Sequence, residues 1–155
     1  MRARRAQPKQ PGPVGYSGTP LAQKLGIRAG ARVYVHAAPE GYRQLLAPLP
    51  GGVALLERPD GDTDLLHVFA VERAALSALL KSLLRGMRPD AALWVSWPKK
   101  SSGVVTDITE DVIRTLALPL GLVDIKVCAV DATWSGLKLV IRRERRPAAR
   151  SARRP

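Results

Sequence analysis

Between Val71 and Gly86 apolar side chains recur every three or four positions: Ala75, Leu76, Leu79, Leu80, Leu83 and Leu84, followed by Met87. Arg73, Ser77, Lys81 and Arg85 take the other side. This spacing predicts an amphipathic helix over 71–86. Shorter apolar, β-branched and aromatic runs at Arg32–His36, Val53–Arg58, Asp64–Ala70 and Ala91–Trp97 predict four strands. The punctuation between them is specific. Thr19 can cap a short helix over 20–25, with Pro20 in its first turn and Gly26 at its end. Pro39-Glu40-Gly41 opens a helix that Pro48 must stop, and Pro59-Asp60-Gly61-Asp62 marks a turn. Another helix starts at Asp107 with Glu110 three residues on, or at Thr109 with acids in its first turn. It carries Val112, Ile113, Leu116 and Leu118 and ends at Pro119 and Gly121. Asp124–Val130 and Leu137–Arg142, joined by residues 131–136, predict a closing antiparallel hairpin.

Strands separated by helices imply a Rossmann-like three-layer α/β fold: a mainly parallel sheet, helices on both faces, and one antiparallel strand from the C-terminal hairpin. The order of elements resembles the core of class I methyltransferases. That resemblance implies a glycine-rich turn beside a cofactor after the first strand. The residues there are His36-Ala37-Ala38-Pro39-Glu40-Gly41, with no G-x-G, so the sequence names no cofactor.

Charge changes the picture of the ends. Of the net +12, residues 1–14 carry +4 and residues 142–155 carry +6, leaving an ordinary +2 for the centre. The expected organisation is therefore a disordered basic tail over 1–14, one α/β domain over 15–142 and a disordered Arg-rich tail over 143–155. No apolar run approaches the roughly 20 residues of a membrane span. The basic start leads into Pro and Gly rather than a signal-peptide core, so the expected location is the cytoplasm, with no membrane partner. One cysteine, Cys128, excludes an internal disulfide and a Cys-based zinc cluster, and its apolar neighbours predict an inert buried thiol.

In an open parallel sheet ligands bind beyond the carboxyl ends of the strands. Loops 36–41, 70–72 and 96–103 are expected to share that edge. The third is the richest: Lys99 and Lys100 supply charge, Ser101 and Ser102 hydroxyls, and Gly103 close backbone approach, a set that suits a phosphate or carboxylate. His36, ending the first strand near Glu40, is the candidate base. Ser17 and Thr19 are further candidate anion ligands, although helix capping is the favoured explanation of them. His67, among Leu66, Val68 and Phe69, reads as a hydrogen-bonded structural histidine. Trp94 and Trp97 should point to opposite faces, and Trp134, in the expected turn, is the likelier exposed ring. No metal-ligand spacing or Ser-His-Asp arrangement is present. The catalytic residues are thus unknown. Three functions compete: binding of a small anionic ligand at the carboxyl edge, non-specific binding of nucleic acid or an acidic protein through the Arg-rich tails, and a methyltransferase-like enzyme.

Three segments carry a closer resemblance: GYSGTPL from Gly15, LWVSWPKK from Leu93, and Lys126-Val127-Cys128-Ala129-Val130-Asp131 with Trp134-Ser135-Gly136-Leu137-Lys138-Leu139-Val140. Together they resemble an uncharacterised actinobacterial family built on a domain of unknown function. The resemblance spans about residues 15–142. It implies a bacterial, cytosolic, single-domain protein and carries over no catalytic residue.

Overall fold

The computed structural model describes residues 18–145. The expected tail over 1–14, the end of the C-terminal one and Ser17 lie outside the described residues. Helix α1 (Leu21–Leu25) precedes strand β1 (Arg32–His36), helix α2 (Tyr42–Leu46), β2 (Ala54–Leu56) and β3 (Leu65–Phe69). Helix α3 (Arg73–Gly86), β4 (Ala92–Pro98), α4 (Glu110–Ala117), β5 (Leu122–Ala129) and β6 (Trp134–Ile141) follow. The strands form one sheet in the order β2-β1-β3-β4-β6-β5. Strands β2, β1, β3 and β4 pair in parallel, and β6 lies antiparallel between β4 and β5. This is the Rossmann-like α/β architecture with its C-terminal antiparallel hairpin.

Side-chain alternation divides the core into two layers. Leu66, Val68, Leu93, Val95, Trp97, Leu137 and Leu139 pack beneath Leu76, Leu80 and Leu83 of α3 and Ile113 and Ala117 of α4. Leu65, Phe69 and Trp94 pack on the opposite face with Leu21 and Leu25 of α1 and Tyr42 and Leu46 of α2. Trp94 and Trp97 thus point to opposite faces. No helix among the described residues is long and apolar enough to cross a membrane.

Boundaries differ from the expectation for local reasons at α1 and β6, while α4 starts at one of its two expected caps. Pro20, not Thr19, is the N-cap of α1. Helix α4 takes Thr109 as its N-cap, whose hydroxyl accepts the Val112 N–H at 3.1 Å. Asp107 caps α3 instead, accepting the Arg73 N–H at 2.6 Å. Strand β6 begins at Trp134, three residues earlier than its Ser-Gly composition suggests. Trp134 is therefore not an exposed turn residue: it packs edge-on against Phe69, with ring centroids 5.1 Å apart.

The Asp107 cap ties the β4–α4 connection to the start of α3. Thr106 assists by donating its hydroxyl to Val71 O at 2.6 Å. Asp107→Ala is expected to cost about 1 kcal/mol, the usual worth of an N-cap, read as a lower urea midpoint at unchanged slope.

Candidate functional site

The topological switch point lies between β1 and β3, because the chain leaves β1 for β2 on one side and returns to β3 on the other. The loops after β1, β3 and β4 open on one edge, as the parallel pairing requires. Much of that edge is filled by the chain itself. Residues 106–107 bind the segment after β3, so the first turn of α3 is already capped by Asp107.

The Lys99–Gly103 loop stands at the end of β4 as a single 3-10 turn over Lys100–Ser102, with Lys100, Ser101 and Gly103 exposed. Its best hydroxyl is engaged internally: Ser102 Oγ donates to Lys99 O at 2.7 Å and accepts from Val104 N at 3.1 Å. The Lys99 N–H goes to Thr133 O at 2.8 Å. Thr19 lies before α1, on an element separate from that loop. His36 does end β1, and its Nδ1 meets the Tyr34 hydroxyl at 3.1 Å, so its hydrogen-bond partner is Tyr34 rather than Glu40. Both rings line a cavity of about 330 Å³ beneath Pro59–Thr63 and α3. That cavity exists because the β2–β3 connection crosses β1 with a short turn rather than a helix, pinned by Asp60 to Arg32 at 2.5 Å.

Beside the switch point, at the carboxyl ends of β1 and β2, lies an open cleft of about 430 Å³ between the β1–α2 turn and the end of β2. Ala38, Gly41 and Tyr42 form one wall, Leu55 and Leu56 the other, and Arg43 and Glu57 its charged groups. The turn is shaped for close approach. Ala37, at φ 57°, is the one non-glycine residue with positive φ among the described residues, and Gly41, at φ 83°, supplies the second left-handed step. Holding alanine there costs of order 1 kcal/mol, and such outliers concentrate at ligand sites. Arg43 and Glu57 make no hydrogen bond or ion pair among the described residues. Glu57 went unnoticed in the sequence, although an acidic residue about 20 positions beyond the first strand is the spacing at which open α/β sheets hold ribose hydroxyls.

Behind Tyr42 lies a buried polar chain. The Tyr42 hydroxyl is 2.6 Å from His67 Nδ1, and His67 Nε2 is 2.8 Å from Ser96 Oγ. His67 and Ser96 are fully buried, and His67 stacks on Phe69. Burial pushes the His67 pKa down to about 3 and raises that of Tyr42. The imidazole is therefore neutral, and the chain is a satisfied hydrogen-bond relay in the core, sealed from solvent at its serine end. Partial burial also raises the Cys128 thiol pKa, against the lowering influence of Lys24 and Lys126. No group of three or more His, Cys, Asp or Glu among the described residues is placed to hold a metal.

Neither a family model nor a curated protein matches the chain. Solved structures do, at the level of fold. An S-adenosylmethionine-dependent methyltransferase from Aquifex aeolicus superposes with a TM-score of 0.59 at 14% identity, covering 78% of this chain and 87% of that one. A putative type 11 methyltransferase from Sulfolobus solfataricus gives 0.57 at 12% identity, over 79% and 89%. The B. subtilis tRNA methyltransferase TrmK gives 0.54 at 11% identity, over 77% and 63%. The chain thus has a Rossmann-like fold of the kind found in these methyltransferases.

Proposed function

We propose that this chain binds a small anionic ligand bearing vicinal hydroxyls, of the nucleoside type, in the cleft between the β1–α2 turn and the end of β2. S-adenosylmethionine is the first candidate. The observation that carries this reading is the pair of uncommitted charges, Arg43 and Glu57, on a cleft at the carboxyl ends of β1 and β2, beside the switch point, whose wall is made by Ala38 and Gly41. Open α/β sheets take ligands at that edge, and the fold is shared with S-adenosylmethionine-dependent methyltransferases. The donor set suits such a ligand. Glu57 would accept from ribose hydroxyls, Arg43 would pair with a carboxylate, and Ala38 and Gly41 would let the ligand approach the backbone. When bound, S-adenosylmethionine would supply a methyl group activated on a sulfonium. The Lys99–Gly103 loop is the second candidate for the anion, supported by its two lysines, with Ser102 already engaged.

The test is calorimetric titration of the full chain with S-adenosylmethionine, S-adenosylhomocysteine and AMP. Glu57→Gln and Arg43→Gln should each raise Kd about tenfold, the worth of one hydrogen bond to a charged group, while Lys99→Ala with Lys100→Ala should leave Kd unchanged. Failure of all three ligands to bind, or unaltered binding by both cleft variants, would overturn the reading. Binding that depends on salt and on the Arg-rich tails alone would favour a nucleic-acid or acidic-protein partner.

A further inference from the structure

A second cavity, of about 360 Å³, lies at the opposite edge of the sheet, where β1, β3 and β4 begin. The turn after α1 and strand β6 enclose it, and its polar side chains are Arg28, Asp64, Asp90 and Lys138. The two acids are already engaged. Arg88 reaches Asp64 at 2.8 Å and Asp90 at 2.7 Å, and the second Asp64 oxygen accepts the Arg32 N–H at 2.8 Å. The two cations are not: the side chains of Arg28 and Lys138 make no hydrogen bond or ion pair among the described residues.

Lys138 occupies an unusual place for a lysine. It sits in the interior of β6, paired in register with the fully buried Trp94, and is itself half-buried. Gly26, in the left-handed conformation at φ 87°, lies beside its ammonium: a Cβ at that position would be in ordinary contact with Nζ at 3.8 Å. Burial lowers the Lys138 pKa, and the charges of Lys126 and Arg28 lower it further. A half-buried ammonium facing like charges is unfavourable by itself. An oxyanion between Arg28 and Lys138 relieves that cost.

We propose that this amino-edge cavity is a second ligand site, one that binds a phosphate group between the Arg28 guanidinium and the Lys138 ammonium. The guanidinium offers a planar pair of donors and the ammonium a compact charge, the combination that suits tetrahedral oxyanions. The Asp64–Arg88–Asp90 wall repels the anionic end of a ligand and so directs it toward Arg28 and Lys138. This site is separate from the carboxyl-edge cleft and uses none of its residues.

Titration of the ¹⁵N-labelled full chain with inorganic phosphate, replacing chloride at constant ionic strength, tests the proposal. Saturable amide shifts are expected at Gly26, Arg28 and Lys138, with Kd raised about tenfold or more by Lys138→Met and by Arg28→Gln. The second change lies on an exposed turn and spares the core. Shifts that never saturate, that chloride reproduces, or that persist with wild-type Kd in both variants would overturn it.

Discussion

Replacement of Trp94 by alanine is expected to destabilise the protein by about 3–5 kcal/mol, the cost of emptying a fully buried aromatic site. Trp94 has no exposed surface and joins Leu21, Leu25, Leu65 and Phe69 in the layer beneath α1 and α2. Its indole Nε1 donates to Leu25 O at 2.9 Å, which fixes the end of α1 to the sheet. Across the β4–β6 pairing Gly136 leaves the ring its space, since a Cβ there would lie 3.2 Å from Trp94 Cε3. The truncation therefore removes packing and a buried hydrogen bond together. A fall in melting temperature of roughly 10–15 °C is expected for a domain of this size. A loss below about 1 kcal/mol in urea titration would contradict this packing, because surface substitutions cost that little.

Acid is expected to destabilise the fold before the carboxylates titrate, and His67 is the cause. In the unfolded chain an imidazole protonates near pH 6.5, whereas burial holds the folded-state pKa down to about 3. Between those values the unfolded state binds the extra proton. Stability is thus complete above about pH 6.5 and falls by about 1.4 kcal/mol per unit as pH drops toward 3. Between pH 6.5 and 4.5 the loss is about 3 kcal/mol. Protonation would also force a charge between the Tyr42 hydroxyl and Ser96 Oγ in a layer without a carboxylate partner. Urea midpoints measured at half-unit intervals should show this slope in the wild type and a much shallower one in His67→Gln. A flat wild-type profile from pH 7 to 5 would show that His67 is not buried as described.

Periodicity made the scaffold legible. Helix α3 follows the apolar spacing from Leu76 to Leu83, and strands β1 to β4 coincide with apolar runs bounded by turn residues. Errors arose where a tertiary contact outweighs local composition. Trp134-Ser135-Gly136 reads as a turn, yet it is strand, because Trp134 packs on Phe69 and Gly136 accommodates Trp94. Asp107 and Glu110 form a capping-box spacing, yet Asp107 serves α3, a helix that ends 21 residues earlier. The sites were harder to read. Lys99–Gly103 attracted attention by residue type, but hydroxyl availability depends on a loop geometry that sequence does not encode visibly. Tyr42, His67 and Ser96 come from three elements and meet only through the β3–β4 pairing and the packing of α2 on the sheet, although His67 and Ser96 each stand out as a polar residue within an apolar strand. Arg43 and Glu57 look like ordinary surface charges until the strand order places β2 beside β1, next to the switch point. Lys138 alternates with Leu137 and Leu139 as a solvent-facing strand residue would, and only the turn after α1 encloses it.

The most direct test of the central claim is a crystal structure of the full chain grown with S-adenosylmethionine. Ligand density is expected between the β1–α2 turn and β2, with its ribose hydroxyls against Glu57 and its carboxylate toward Arg43. Density over Lys99–Gly103 with the cleft empty, or no bound ligand at saturating concentration, would contradict it.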